Sequence, residues 1–87
     1  MFQLKIYDLM QKEQDFMANK VMFLSSKGWL TILPHHAPLF THCLPEKIIF
    51  SFFADSTESP QAREQSIIFK NPGFLSFDGK MCQIWIS

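Results

Sequence analysis

An all-β fold, as a sandwich or a barrel, is what this sequence of 87 residues predicts. Three observations carry the prediction. About eight apolar runs of strand length recur at roughly ten-residue spacing, the rhythm of such folds. Turn residues separate them, above all Asp78-Gly79 and Asn71-Pro72-Gly73. No long segment has the 3.6-residue apolar period of an amphipathic helix.

The elements follow in chain order. Phe2, Leu4 and Ile6 alternate with Gln3 and Lys5, the period of a half-buried strand. Residues 11–15 are polar and read as a turn, a short excursion or one helical turn. Residues 16–24 form the next run; Val21 and Phe23 alternate with Met22 and Leu24, so both faces are expected to be covered. Ser25-Ser26-Lys27-Gly28 is a turn, with Gly28 free to take positive φ. In residues 29–33, Leu30 and Ile32 face one way, Trp29 and Thr31 the other.

Pro34 and Pro38 bracket a knuckle, Pro34-His35-His36-Ala37-Pro38. Each proline fixes its own φ and holds the preceding residue extended. The loop is therefore stiff, with little entropy left to lose on docking. Residues 39–44 return as a strand, and residues 47–53 are strongly β-prone. Residues 54–65 are polar, contain Pro60 and read as a loop far longer than a usual hairpin connection. Residues 66–70 are the returning strand. Asn71-Pro72-Gly73 fits a type II turn. Asp78-Gly79 joins a closing hairpin of residues 74–77 and 80–86, on which Cys82, Ile84 and Ile86 share one face and Met81, Gln83 and Trp85 the other. Trp85 and Met81 read as core or sheet-edge packing.

Composition sets limits. The chain is one domain, residues 1–87, because a second would lack residues for its own core. Eight basic residues balance eight acidic ones and no basic cluster occurs. That argues against nucleic acid and against a polybasic membrane contact. Residues 28–45 carry no Asp, Glu, Lys or Arg, but Pro34, Pro38 and three histidines make them a poor membrane span. The first strand carries Lys5 and Asp8, so it is not a secretory leader, and a cytosolic protein is inferred. Two cysteines are no disulfide framework; Cys43 and Cys82 sit in apolar runs and read as buried free thiols.

The segment Gly28-Trp29-Leu30-Thr31-Ile32-Leu33-Pro34-His35-His36-Ala37-Pro38-Leu39-Phe40-Thr41 resembles the hallmark of the epsilon subunit of F-type ATP synthases. That pattern is Gly-x-Leu-x-Ile-Leu/Tyr-Pro-Gly-His-Ala-Pro-Leu-x-Thr. Asn71-Pro72-Gly73-Phe74-Leu75 resembles the family's Gly-Gly-Phe/Ile-Leu, and the closing hairpin resembles its last one. The resemblance implies a two-sheet antiparallel β-sandwich of about ten short strands. It implies a non-catalytic central-stalk subunit that links the gamma subunit to the membrane c-ring in proton- or sodium-driven ATP synthesis. Such a subunit lies at the cytoplasmic face of the inner (plasma) membrane, held there through protein contacts without insertion. Ser25, Ser26, Lys27, Gly28, Trp29 and Thr31 should face the c-ring; His36, Ala37, Pro38 and Thr41 should lie toward gamma.

Three departures from the family pattern bear on these expectations. The family continues into a C-terminal helical hairpin that inhibits hydrolysis and in some members binds ATP, and neither property carries over to this chain. It would be a short or a truncated member. His35 stands where the family has glycine; if that position needs positive φ, it costs about 1 kcal/mol of strain. Trp29 stands where the family often has an acidic residue, so a contact with a basic c-ring loop would become apolar or cation–π.

His35, His36 and His42 could in principle ligate zinc. Neighbouring side chains in an extended segment point apart, so no metal is expected; His36 should hydrogen-bond locally while His35 stays exposed. His42 beside Cys43 offers no nucleophilic signature, and three scattered glycines make no phosphate loop. No cofactor is expected. Trp29, which faces away from Leu30 and Ile32, reads as an interface anchor. Two alternatives remain beside the rotor subunit: a small β-sandwich binding module with a possible histidine-held metal, and a diverged epsilon paralogue with a regulatory role.

Overall fold

A computed structural model describes residues 1–8, 13–53 and 62–86, and every regular element in them is a strand. The strands are β1 (Phe2–Asp8), β2 (Gln14–Ser25), β3 (Gly28–Ile32), β4 (Leu39–Cys43), β5 (Lys47–Phe53), β6 (Ala62–Ile68), β7 (Gly73–Phe77) and β8 (Met81–Ile86). All eight predicted runs are present as strands. The two further strands that the resemblance implies are not among the described residues.

The hydrogen bonding corrects the expected pair of antiparallel sheets. The strands form one continuous sheet in the order β4-β7-β8-β1-β2-β5-β6, with β3 also on β2. One pair in it is parallel: β1 runs alongside β8, from Gln3↔Met81 to Asp8↔Ile86. The chain's two ends are thereby joined at the centre of the sheet. Local alternation cannot distinguish a parallel from an antiparallel neighbour, so this pairing has no sequence signature.

β2 is the element that lets one sheet form two layers. Its first half pairs with β1, from Ala18↔Phe2 to Gln14↔Ile6. Its second half pairs with β3, from Val21↔Ile32 to Ser25↔Gly28, and with β5. The register slips between Ala18 and Lys20. A bulge of this kind adds a residue, bends the strand and reverses which parity faces inward. Accordingly Phe16 and Ala18 point to the core before it, and Val21 and Phe23 after it. That corrects the expected strand with two covered faces: residues 16–24 have one inward face with a phase change.

The sheet then folds back on itself. The Leu44 N–H donates to the Leu24 carbonyl at 2.9 Å, bringing the end of β4 against the end of β2. The inward residues form one cluster that includes Leu4, Ile6, Phe23, Ile32, Ile48, Phe50, Leu75, Phe77 and Ile84, each at most 1% exposed. The shortest dimension of the molecule, 18 Å, is what two β layers about 10 Å apart plus their outward side chains occupy.

The largest departures from the expected boundaries are at β6 and at the start of β2. β6 begins at Ala62, four residues before the predicted return, and pairs with β5 along its whole length. It is an edge strand, and its polar residues 63–66 are exposed, so no apolar alternation announces it. Residues 54–61 of the expected loop, and 11–12 of the expected turn, lie outside the described residues. Gln14 and Asp15 are already strand. The closing hairpin forms, but its turn is one residue later than the expected Asp78-Gly79: the Asp78 N–H donates to the Met81 carbonyl and the central pair is Gly79-Lys80. Gly79 has φ 101°, and the Asp78 carboxylate accepts from the Lys80 and Met81 N–H groups, both at 2.8 Å. Those two bonds hold the Asp78 carboxyl below the usual carboxylate range.

Cys43 and Cys82 are free and buried, as expected. Burial pushes both thiols up to about 12. A group whose folded pKa is raised leaves stability unchanged below its unfolded value and lowers it as pH climbs toward the folded one. The thiols' contribution should therefore be flat below about pH 9 and should lower stability between there and about 12. Neither thiol should react with an alkylating reagent at pH 8 until the protein unfolds; fast native labelling would contradict the burial.

Candidate functional site

The stretch between the Ser25 turn and β4 offers two surfaces, one at each end of β3. Five residues at about 3.3 Å each separate them by roughly 17 Å. At the near end, the Ser25 hydroxyl donates to the Gly28 carbonyl at 2.8 Å and accepts from the Lys27 N–H at 3.1 Å. Gly28 has φ 110°, a conformation that L residues with a side chain avoid. Ser26 and Lys27 are exposed, Gly28 is half-buried, and Trp29 and Thr31 project outward from β3. Trp29 is 48% exposed, which suits an anchor and not a core residue. Ser25 itself is only 3% exposed. It fastens the turn from inside and supports that surface without contributing contact area to it.

At the far end, the knuckle is a built corner. The His36 N–H donates to the Leu33 carbonyl at 3.0 Å, closing a four-residue turn over Pro34 and His35. His35 has φ 72°. Proline first and positive φ second are the dihedral signs of a type II turn. The strained residue anticipated at His35 is therefore present. By contrast, Gly73 does not have positive φ, so the type II turn expected at Pro72-Gly73 is not formed there. The His36 Nδ1 lies 2.7 Å from the Ala37 carbonyl and donates to it in that tautomer; its ring also meets Phe77 edge-on at 6.2 Å. His35, His36, Ala37 and Pro38 are all exposed.

His35→Gly should relieve the left-handed strain at a small loss to unfolded-chain entropy, a net gain of about 0.5–1 kcal/mol. The check is the urea midpoint, and an unchanged or lowered midpoint would place the strain elsewhere.

Beyond the corner the outward side chains are Phe40 and His42. Thr41 shares the inward face with Cys43 and is half-buried, so it offers less to a partner than its neighbours do. Phe40 is 68% exposed and stacks on Phe74 at 5.9 Å, with His42 tilted against the same ring at 4.9 Å. Trp85 is 38% exposed and stacks on Tyr7 at 5.6 Å. An outward aromatic row thus crosses β4, β7, β8 and β1. Sequence reasoning missed it, placing Trp85 in core or edge packing. The parity signal existed, since Trp85 alternates against Cys82, Ile84 and Ile86. What was missing was the parallel neighbour that sets Tyr7 beside it.

His42, on the outward face of β4, is turned into the aromatic row. Among the described residues no group of three or more His, Cys, Asp or Glu could hold a metal.

Comparison with known proteins adds a fold. No family model matches the chain, and no curated protein does. Among solved structures, it matches a chain in the cryo-EM structure of the mitochondrial ATP synthase central stalk and c-ring of Tetrahymena thermophila, with a TM-score of 0.70 at 11% identity. The fold is one found in an ATP synthase central-stalk assembly. The match covers 98% of this chain and 62% of the length of that one.

Proposed function

We propose that this chain is a non-catalytic central-stalk subunit of an F-type ATP synthase, linking the gamma subunit to the c-ring in ion-driven ATP synthesis. The observation that carries the reading is the corner at His35. Its positive φ of 72° falls where the resembled family pattern has glycine, and it lies on a backbone that shares its fold with an ATP synthase stalk chain. Two unlike arguments, a local dihedral and a whole-chain fold, thus favour the same family.

The role is mechanical and needs a rigid body with two grips. On this reading Ser26, Lys27, Gly28, Trp29 and Thr31 meet the c-ring loops, with Ser25 bracing the turn from inside. His36, Ala37 and Pro38 meet gamma, with Thr41 behind them. Attachment to the membrane is through these protein contacts, at its cytoplasmic face. Among the described residues no helix is long and apolar enough to cross a membrane.

Mixing the chain with its cognate gamma subunit at micromolar concentration should give a complex that survives size exclusion. Separate elution would overturn the proposal. Trp29→Ala should leave the unfolding free energy within about 0.5 kcal/mol, as for exposed sites generally. The same change should weaken attachment to the gamma–c-ring subcomplex at least tenfold, as loss of a buried aromatic anchor does. A variant that fails to fold would place Trp29 in the core.

A further inference from the structure

Among the described residues, three strands have a neighbour on one side only: β3, β4 and β6. Such an edge presents unpaired N–H and C=O groups, a template for a strand of another molecule. β3 and β4 are short, five residues each, and are bounded by Pro34 and Pro38. The end of β4 is also hydrogen-bonded to β2. β6 is longer, with seven residues and no proline, and it alone of the three carries charge, at Arg63 and Glu64. Behind it lies β5, whose residues 48–53 contain no charge, proline or glycine. That is the composition of segments that stack into cross-β fibres.

The register sets where the two charges point. Arg63 and Gln65 oppose Phe52 and Phe50, and directly opposed residues share a face. Both therefore stand on the core side of the sheet, yet both are exposed, because the facing layer does not cover them. Glu64 opposes Ser51 on the other side and is exposed as well. The formal net charge of the chain is zero, so repulsion between whole molecules does not keep copies apart. Whatever does so is local.

We propose that Arg63 and Glu64 guard the open edge of β6 against pairing with β6 of a second copy. Sequence neighbours point to opposite faces. No antiparallel pairing of two β6 strands about a two-fold axis can therefore set Arg63 against Glu64. Centred on either residue, the pairing sets like charge on like, which destabilises it. Centred on Gln65, with the fullest overlap, it puts Arg63 against Ile67 and Glu64 against Ser66. Both charges then lose water without gaining a partner. A parallel in-register stack repeats like on like at both positions. The proposal does not depend on the rotor reading.

The test compares two double variants with the parent chain by sedimentation velocity and thioflavin T fluorescence, from micromolar to submillimolar concentration. Arg63→Thr with Glu64→Thr keeps the net charge at zero and puts β-prone side chains on the edge. Glu46→Thr with Lys80→Thr removes the same pair of charges from exposed turn positions. The parent and the turn variant should stay monomeric. The edge variant should self-associate about tenfold more tightly or form thioflavin-positive fibres. An edge variant as monomeric as the turn variant overturns the proposal, as does a parent that already self-associates. Equal association of the two variants also overturns it, since charge anywhere on the surface would then be the guard. If the edge variant does not fold, Arg63→Thr and Glu64→Thr singly give the reading: each should associate more than the parent, and monomeric singles overturn the proposal.

Discussion

Gly73→Ala is expected to cost this fold about 3 kcal/mol, the scale of severe overpacking. A Cβ at position 73 would overlap the carbonyl oxygen of Trp85, and it would lie 3.2 Å from the carbonyl carbon and 3.3 Å from the Ile86 Cγ2. Backbone cannot swing aside as a flexible side chain can. Either β7 or β8 must move, and β8 is paired on its other side to β1. The small size of the chain leaves a total stability near the low end of the usual 5–15 kcal/mol. A loss of this size should therefore bring the urea midpoint down by about half. A midpoint shift equivalent to less than about 0.5 kcal/mol would mean that the two strands separate easily there.

Phe50→Ala should be at least as damaging, at roughly 3–5 kcal/mol, the usual range for emptying a buried phenylalanine site. Phe50 is fully buried. Its ring lies 4.7 Å from that of Phe16 and 5.7 Å from that of Phe52, and its backbone pairs with Val21 just past the β2 bulge. Removing it takes out the ring that ties the two halves of β2 to β5. The paired control is Phe40→Ala. Phe40 is 68% exposed, so its loss should change stability by no more than about 0.5 kcal/mol. Comparable losses for the two variants, read by urea unfolding, would contradict the assignment of one to the core and the other to the surface.

That pair also marks how far the sequence could be read. Phe40 and Phe50 both sit in short β-prone runs, and composition treats them alike. The runs themselves were legible because alternation and turn chemistry are local properties. Phe2, Leu4 and Ile6 occupy the inward face that their spacing implies, and Asp78-Gly79 starts the hairpin that its residues demand. The β6 boundary was not legible, because an exposed edge strand carries polar residues whatever its pairing. The β2 bulge was half-legible: the inward residues break step between Ala18 and Val21, and a run of mixed apolar residues hides the break.

The candidate site divides the same way. The stiff corner could be seen in Pro34 and Pro38, and strain at His35 could be anticipated from a resemblance. Burial of Ser25 and Thr41, and exposure of Phe40, His42, Phe74 and Trp85, could not be ranked from the chain alone.

By itself the sequence determined that the strands exist, the Gly28 turn and the rigid corner, all consequences of backbone and side-chain preferences over a few residues. The tertiary structure alone decided that one continuous sheet folds into two layers, that the first and last strands run parallel, and which aromatic rings stay outside. Those outcomes depend on contacts between residues far apart in the chain, whose free energy appears only when the whole core closes and so leaves no mark on any short stretch.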